Sequence, residues 1–373
     1  MTHPDRRPRV LWLIKGLGPG GAEQLLLLSA RVADHGSFAY RVAYVRPDKT
    51  HLVGEFERLG LVPELLGASG GGRLAWVRDL RRALAESDVV HAHSPVLAGV
   101  ARLLARTLPR ARRPAVVTTE HNEWTSHRLP TRLLNGLTSP LDAHAWAVSE
   151  QVRDTVWPWR RASFQVLIHG IDLAAPAVTP GVRGRLREAL GVADDDVLAL
   201  TVANLRRNKD YPNLLRAAKL AVALNPRLRF VAVGQGPLAD EIAALREELG
   251  LGDALRLLGF RRDIPELMAA ADLFVLASAH EGLPVAIMEA FSHGLPVVST
   301  AVGGVPQAVR DGVEGRLVAP GDGAGLARAV AEVAGDAGLR RRMGAAARAR
   351  SRDYDIRTAV AAQEARYRAL TRG

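Results

Sequence analysis

"DLFVLASAHEGLPVAIMEAFSHGLPVVST", residues 272–300, decides how the rest of the chain reads. An apolar run, DLFVLAS, predicts a buried strand, and AHEG is its loop. Pro284 suits the first position of a helix and Gly294 suits its end, before a second strand at PVVST. Strand, helix and strand in so short a span mark a unit of a parallel sheet wrapped by helices. Within it Glu281 stands at the carboxyl end of a strand, near the positive end of a helix dipole, where a carboxylate is comfortable and faces a ligand-binding edge. Glu289 lies about a turn and a half into the helix among Val285, Ile287, Met288, Ala290 and Phe291. An ionised side chain in such company is costly unless a donor reaches it. Vicinal sugar hydroxyls are good donors; the other reading is a surface glutamate on an amphipathic helix.

The same rhythm runs through the chain. RVLWLI (9–14), YRVAYV, DVVHAH, AVVTTE and HAWAVS read as strands in the first half, and AEQLLLLSARVADHG reads as a helix ended by Gly36. GIDLAAPAVTPGV (170–182) collects prolines and small residues as a linker does. VLALTVA, LRFVAVG, LRLLGF, DLFVLAS, PVVST and RLVAP repeat the pattern, and the chain turns largely helical from Asp322. A chain of 373 residues is too long for one comfortable core. The expected architecture is α/β, with two doubly wound parallel sheets.

Composition narrows the function classes. With 48% hydrophobic and 24% charged residues the chain reads as an ordinary globular protein. No run approaches the roughly 18 apolar residues of a spanning helix, and only a few apolar residues precede Lys15, so neither a membrane span nor a cleaved signal is expected. The absence of cysteine removes disulfide and thiolate chemistry and points to the cytoplasm. A net charge of +11 calls for an anionic partner. Nucleic acid is not expected, because only 5% of residues are aromatic and no basic and aromatic platform is interleaved.

Ligands of doubly wound sheets meet the loops at strand carboxyl ends, and those loops hold the candidate residues. KGLGPGGAE places Gly16, Gly18 and Gly21 at the G-x-G-x-x-G spacing between a strand and a helix. Arg46, instead of an acid, ends the second strand, which weakens an NAD site and leaves some room for NADP. Either a ligand loop or a tight packing turn satisfies the glycines. VANLRRNKDYPNLLRA puts Arg206, Arg207 and Lys209 where an anion would enter, or in a solvated turn. Gly234 and Gly236 form a second glycine turn, open to a nucleotide base or simply a turn. Asp194, Asp195 and Asp196 precede a strand, which suits a charged turn better than a metal site. His91 and His93 alternate on a strand end and could share one face, for hydrogen bonding or packing in preference to a metal.

These residues together resemble the retaining glycosyltransferases of family 4, with the GT-B fold of two Rossmann-like domains facing across a cleft. GGAE (20–23), WAVSE, IHGID and the long block 258–309 carry the likeness, with Glu281 and Glu289 as its E-x7-E pair. The resemblance implies an acceptor-binding domain at 1–172 and a donor-binding domain at 173–373, with a last helix, about 356–371, packing back on the first. It assigns Glu289 to the ribose of a nucleotide sugar. Glu281, with backbone groups of Gly282, Leu283 and Pro284, takes the hydroxyls of the transferred sugar. Lys209 and an arginine take the diphosphate, His121 stands beside the donor sugar, and Gly18, Gly20 and Gly21 border phosphates and acceptor. Asn204 occupies the place where many members have an arginine, so that role passes to Arg206; Gln307 and His169 also depart from the usual residues.

Retention without an enzyme nucleophile follows from the same resemblance: the leaving phosphate accepts the acceptor's proton on one face, with neither metal nor cofactor expected. The acceptor would be a glycan or a lipid-linked sugar. Arginines and tryptophans in RTLPRARRP (106–114) and WPWRR (157–161) suit peripheral contact with an anionic inner membrane face, and equally suit solvent. RRRMGAAARARSR (340–352) reads as a helix with its cations in water. Two other readings stay open: an NADP-dependent oxidoreductase resting on the first glycine loop and Arg46, and a non-catalytic nucleotide- or glycan-binding protein with a decayed site.

Overall fold

The computed structural model describes residues 6–68, 70, 72, 74–174 and 179–371. Part of the expected linker, residues 175–178, lies outside the described residues. The chain divides into two units, one formed by residues 1–170 with 356–373 and the other by 171–355.

Unit 1 carries β1 (Arg9–Ile14), β2 (Ala39–Tyr44), β3 (Glu64–Leu65), β4 (Val89–Ala92), β5 (Ala115–Glu120), β6 (His144–Ala147) and β7 (Phe164–Val166). They form one sheet in the order β3-β2-β1-β4-β5-β6-β7, every pair parallel. Unit 2 carries β8 (Val197–Val202), β9 (Leu228–Val233), β10 (Leu255–Leu257), β11 (Leu273–Leu276), β12 (Val297–Thr300) and β13 (Gly315–Val318). Their order, β10-β9-β8-β11-β12-β13, repeats the doubly wound pattern, again all parallel. Each sheet therefore reverses direction once, between β1 and β4 and between β8 and β11, and loops leaving those strands splay apart at their carboxyl ends.

The central strands are buried on both faces, as parallel strands must be when helices cover the sheet. Leu11, Trp12, Leu13, Val89 and Val90 are sealed in unit 1, as are Leu273, Phe274, Val275, Val297 and Val298 in unit 2. The chain-terminal helix Ile356–Thr371 completes unit 1, with Ile356, Val360 and Tyr367 in the same core cluster as Trp12 and Tyr40. Its Glu364 accepts from the Tyr40 hydroxyl at 2.8 Å and from the Asp34 amide at 2.7 Å.

Two local expectations are corrected, and two strands were not expected at all. The short edge strands β3 and β7 have too few residues to show a period, so nothing in the sequence announces them. The first helix spans Gly21–Val32 and stops before Gly36, because the Asp34 carboxylate takes the amides of Gly36 and Ser37 at 3.1 and 2.9 Å and turns the chain early. Pro284 is the extended cap of the helix Val285–Ser292 instead of its first residue, with φ −70° and ψ 119°.

Candidate active site

In unit 2 the loops leaving β8 and β11, on either side of the switch point, are stapled together. The Asn208 carbonyl accepts the amides of Ala279 and His280 at 2.9 and 3.3 Å. This brings Lys209 and Glu281, 72 residues apart, into an ion pair through Lys209 Nζ and Glu281 Oε1. Both ends are well shielded: the lysine side chain is 19% exposed and the glutamate 8%. Ser278 Oγ donates to the same carboxylate oxygen at 2.5 Å. Thr300 Oγ1 donates to the Ser278 carbonyl at 2.6 Å, tying the end of β12 to the loop after β11.

Asp210, next to the pair, holds the left-handed backbone conformation at φ 45° and caps the helix Tyr211–Leu224 through the Asn213 amide. Among the described residues it is the one non-glycine residue with positive φ. Strain of this sort is worth about 1–3 kcal/mol and persists only where surrounding contacts hold it.

Gly282, Leu283 and Pro284 are buried, and the carbonyl of Gly282 accepts the Gly304 amide at 2.5 Å. Gly303 sits at φ +55°, and a Cβ there would lie 2.0 Å from the Glu281 carbonyl oxygen. The two glycines after β12 thus press the Glu281 loop into shape. The one signal for them in the sequence is a Gly-Gly pair leaving a strand.

Glu289 follows on the helix after this loop, half-buried beside Met288 and Ala290. Among the described residues no donor reaches its carboxyl group. Burial without compensation pushes that group up to about 7. The expectation of a waiting donor therefore finds none among the described residues.

Other predicted residues are placed as follows. Arg206 is exposed, and among the described residues its guanidinium has no partner; the half-buried Asn204 accepts the Arg206 amide through its carbonyl at 2.8 Å. A Cβ on Gly234 would fall 1.9 Å from the Ala203 carbonyl oxygen, and one on Gly236 2.3 Å from that of Leu205. Close packing of two loops already demands both glycines. Asp195 and Asp196 pair with Arg227 and Arg229 in a turn before β8.

In unit 1, Lys15 donates its amide to Ser94 Oγ at 2.9 Å, tying the glycine loop after β1 to the loop after β4. Gly18, Gly20 and Gly21 all have negative or extended φ, and a Cβ on Gly21 would meet nothing within 4 Å. Packing does not ask for glycine at Gly21, which leaves bare backbone at a helix N-terminus. Arg46, the residue that kept an NADP reading open, is held bidentately by Asp48 at 2.7 and 2.6 Å, which removes that support.

His121, just beyond β5, belongs to a row of histidines. Its Nε2 lies 3.2 Å from His93 Nδ1, and its ring centre lies 5.5 Å from that of His169. The His93 ring lies 4.1 Å from the His91 ring, so the pair anticipated on one strand face do share it. His91 is locked by the Tyr367 hydroxyl at 2.5 Å and Thr119 Oγ1 at 2.7 Å. Burial, and then the neighbouring rings, hold His91, His93 and His121 well below the usual imidazole range; burial takes His169 down to about 4. The rings are neutral at physiological pH. Among the described residues no group of three or more histidines, aspartates or glutamates is arranged to hold a metal ion.

Comparison with known proteins gives this geometry a family. The profile of "Glycosyl transferases group 1" matches residues 182–350, and that of "Glycosyltransferase Family 4" matches 19–175. EpsD of Bacillus subtilis (strain 168), which bears a provisional glycosyltransferase name, is 31% identical over 288 residues, covering 73% of this chain and 74% of EpsD. EpsF of the same strain is 29% identical, covering 78% of each. The crystal structure of Anabaena HepE in complex with UDP and glucose superposes with a TM-score of 0.85 at 24% identity, over 96% of this chain and 98% of HepE. The fold is that of the GT-B glycosyltransferases, two Rossmann-like units with parallel sheets, and the chain belongs to the group 1 glycosyltransferases.

Proposed function

We propose that the protein moves a sugar from a nucleotide-sugar donor to a glycan or lipid-linked acceptor, with retention of anomeric configuration and without a metal. The observation that carries this reading is the Glu289 carboxyl, a half-buried acceptor whose charge is penalised by desolvation and that meets no donor among the described residues. Two vicinal ribose hydroxyls supply two donors in one step. They would bring the group back to its ionised form, since hydrogen bonds to a carboxylate favour its charge.

The remaining roles follow the loops. Lys209, with the free guanidinium of Arg206, takes the diphosphate, whose charge grows as the glycosidic bond breaks. Glu281, aligned by Lys209 and Ser278, turns toward hydroxyls of the transferred sugar, with the backbone of Gly282, Leu283 and Pro284 beside it. Gly234 and Gly236 border the base, although loop packing is a sufficient reason for their lack of side chains. In unit 1, His121 addresses the donor sugar, and Gly18, Gly20 and Gly21 leave backbone open to phosphate or acceptor. Attack on the face of departure lets the leaving phosphate take the acceptor's proton, so no carboxylate base is required. HepE, crystallised with UDP and glucose, supports a nucleotide sugar as the donor class.

A panel of UDP-, GDP-, ADP- and dTDP-sugars, scored by thermal shift and then by turnover with chelator present, tests the donor. Proton NMR of the product's anomeric coupling tests retention. Glu289→Ala is expected to abolish turnover with little loss of fold, and unchanged turnover would contradict the assignment.

Membrane contact has its own support. Along the helix Leu129–Thr138, Leu129, Leu133 and Leu137 are 63%, 43% and 73% exposed at one-turn spacing. Trp157 packs against Gly136 of that helix, with the exposed Trp159 and the Arg160 guanidinium beyond it. Exposed Arg106, Arg110, Arg112 and Arg128 flank the stripe in sequence. Apolar side chains amid arginines suit an anionic bilayer surface. Co-sedimentation with anionic vesicles at physiological salt is expected, and loss of binding in Leu133→Ser with Leu137→Ser; no binding by the unaltered protein refutes the contact.

A further inference from the structure

We propose that His93 is a positioning residue that fixes His121 as a hydrogen-bond donor, with its Nδ1–H offered to a ligand oxygen. The sugar as that ligand rests on the reading given above; the tautomer does not. His93 Nδ1 and His121 Nε2 stand 3.2 Å apart, close enough for one shared proton. His93 is 7% exposed, and its other nitrogen, Nε2, is buried without a partner.

Two neutral arrangements can satisfy the pair. In one, His121 donates from Nε2, and His93 must then carry its own proton on Nε2, as a buried N–H with no acceptor. Orphaned interior N–H groups are rarer than bare acceptors. In the other, His93 donates from Nδ1 and leaves only a lone pair on Nε2. His121 then accepts at Nε2 and keeps its proton on Nδ1. That atom has no partner among the described residues and is not sealed from solvent. A third arrangement, with a charged His93, is opposed by burial and by the His91 ring at 4.1 Å.

The backing is rigid. His91 is held on both nitrogens, by Thr119 and by Tyr367 from the chain-terminal helix, so the ring behind His93 cannot turn. His121 therefore meets its ligand with a fixed ring and a fixed polarity. It can give a hydrogen bond to a hydroxyl lone pair or an anionic oxygen, and it cannot accept one from that side.

The chain labelled with ¹⁵N-histidine, without ligand at neutral pH, gives the direct test. Two-bond proton–nitrogen correlations, assigned by signal loss in His93→Asn and His121→Asn, are expected to show both rings protonated on Nδ1. A His121 ring protonated on Nε2 overturns the proposal, whatever the protein's substrate. With a nucleotide sugar that the unaltered protein turns over, His93→Phe keeps the ring's bulk and loses the donor; kcat/KM is expected to fall about tenfold, the worth of one well-placed hydrogen bond. His93→Asn, whose amide nitrogen can replace Nδ1, is expected to recover most of it. Equal loss in both variants, or no loss in His93→Phe, also overturns it. Absence of turnover with every nucleotide sugar would sink the transferase reading and leave the NMR result standing.

Discussion

Glu289→Gln is expected to stabilise unit 2 of the ligand-free protein, and to do so more strongly as pH rises. The carboxyl is held at about 7 in the folded chain against 4.5 for the free group. A raised folded value means the folded state binds the proton more tightly than the unfolded state. Its stabilising contribution is therefore complete below about pH 4.5 and is lost as pH climbs through about 7. Linkage puts the loss between pH 5 and pH 8 at about 2.5 kcal/mol, order of magnitude, for this one group. Gln has the same shape and no charge to desolvate, so its advantage over the native residue should widen by that amount across the same interval. All six tryptophans lie in unit 1, so their fluorescence is blind to unit 2. Hydrogen exchange of peptides covering residues 285–300, read by mass spectrometry at pH 5 and pH 8 with intrinsic rates corrected, reports the right unit. If the pH dependence of protection is the same in both proteins, the carboxyl is not desolvated as described and the argument from its missing donor falls with it. The corollary concerns binding: a donor that prefers the ionised form should bind about tenfold more weakly at pH 6 than at pH 8, because most of the carboxyl is then protonated.

Lys209→Met leaves the 8% exposed Glu281 carboxylate without its cation and is expected to reduce kcat by about 3 kcal/mol in barrier, read by steady-state transfer. Gly303→Ala forces the Glu281 loop to move, since the new methyl would lie 2.0 Å from a carbonyl oxygen; a displacement of about 1 Å should cost about a hundredfold in turnover. Arg102→Leu strips the buried Asp142 of its bidentate partner at 2.7 and 2.8 Å, and a loss of about 3–5 kcal/mol in the urea unfolding of unit 1, followed by tryptophan fluorescence, is expected. Tyr367→Ala opens the core beneath the chain-terminal helix and frees His91, for a loss of about 3–5 kcal/mol by the same assay.

Local patterning carried the fold a long way. Runs of Val, Leu and Ile between glycine loops, as in RVLWLI and DLFVLAS, announce buried parallel strands because a strand covered on both faces needs apolar side chains on both. The glycine loop after β1, the cationic turn after β8 and the Glu281 to Glu289 segment were visible for the same reason: each is a short departure from an apolar period, at a place the alternation had already marked as a strand end. What remained invisible had no period to break. β3 and β7 span only Glu64–Leu65 and Phe164–Val166. The early end of the first helix turned on one side chain, Asp34, competing for two amides.

The sequence by itself determined the class of each element, the repeat of one architecture and the loops where ligands meet it, since these follow from the spacing of apolar residues along a few turns. Only the tertiary structure decided which residues from distant loops became partners: Lys209 with Glu281, 72 residues on, Gly303 against the same glutamate, His93 with His121. Strand order does this. It is set by the collective burial of whole sheets, and no single stretch of chain records which loop will be folded beside it.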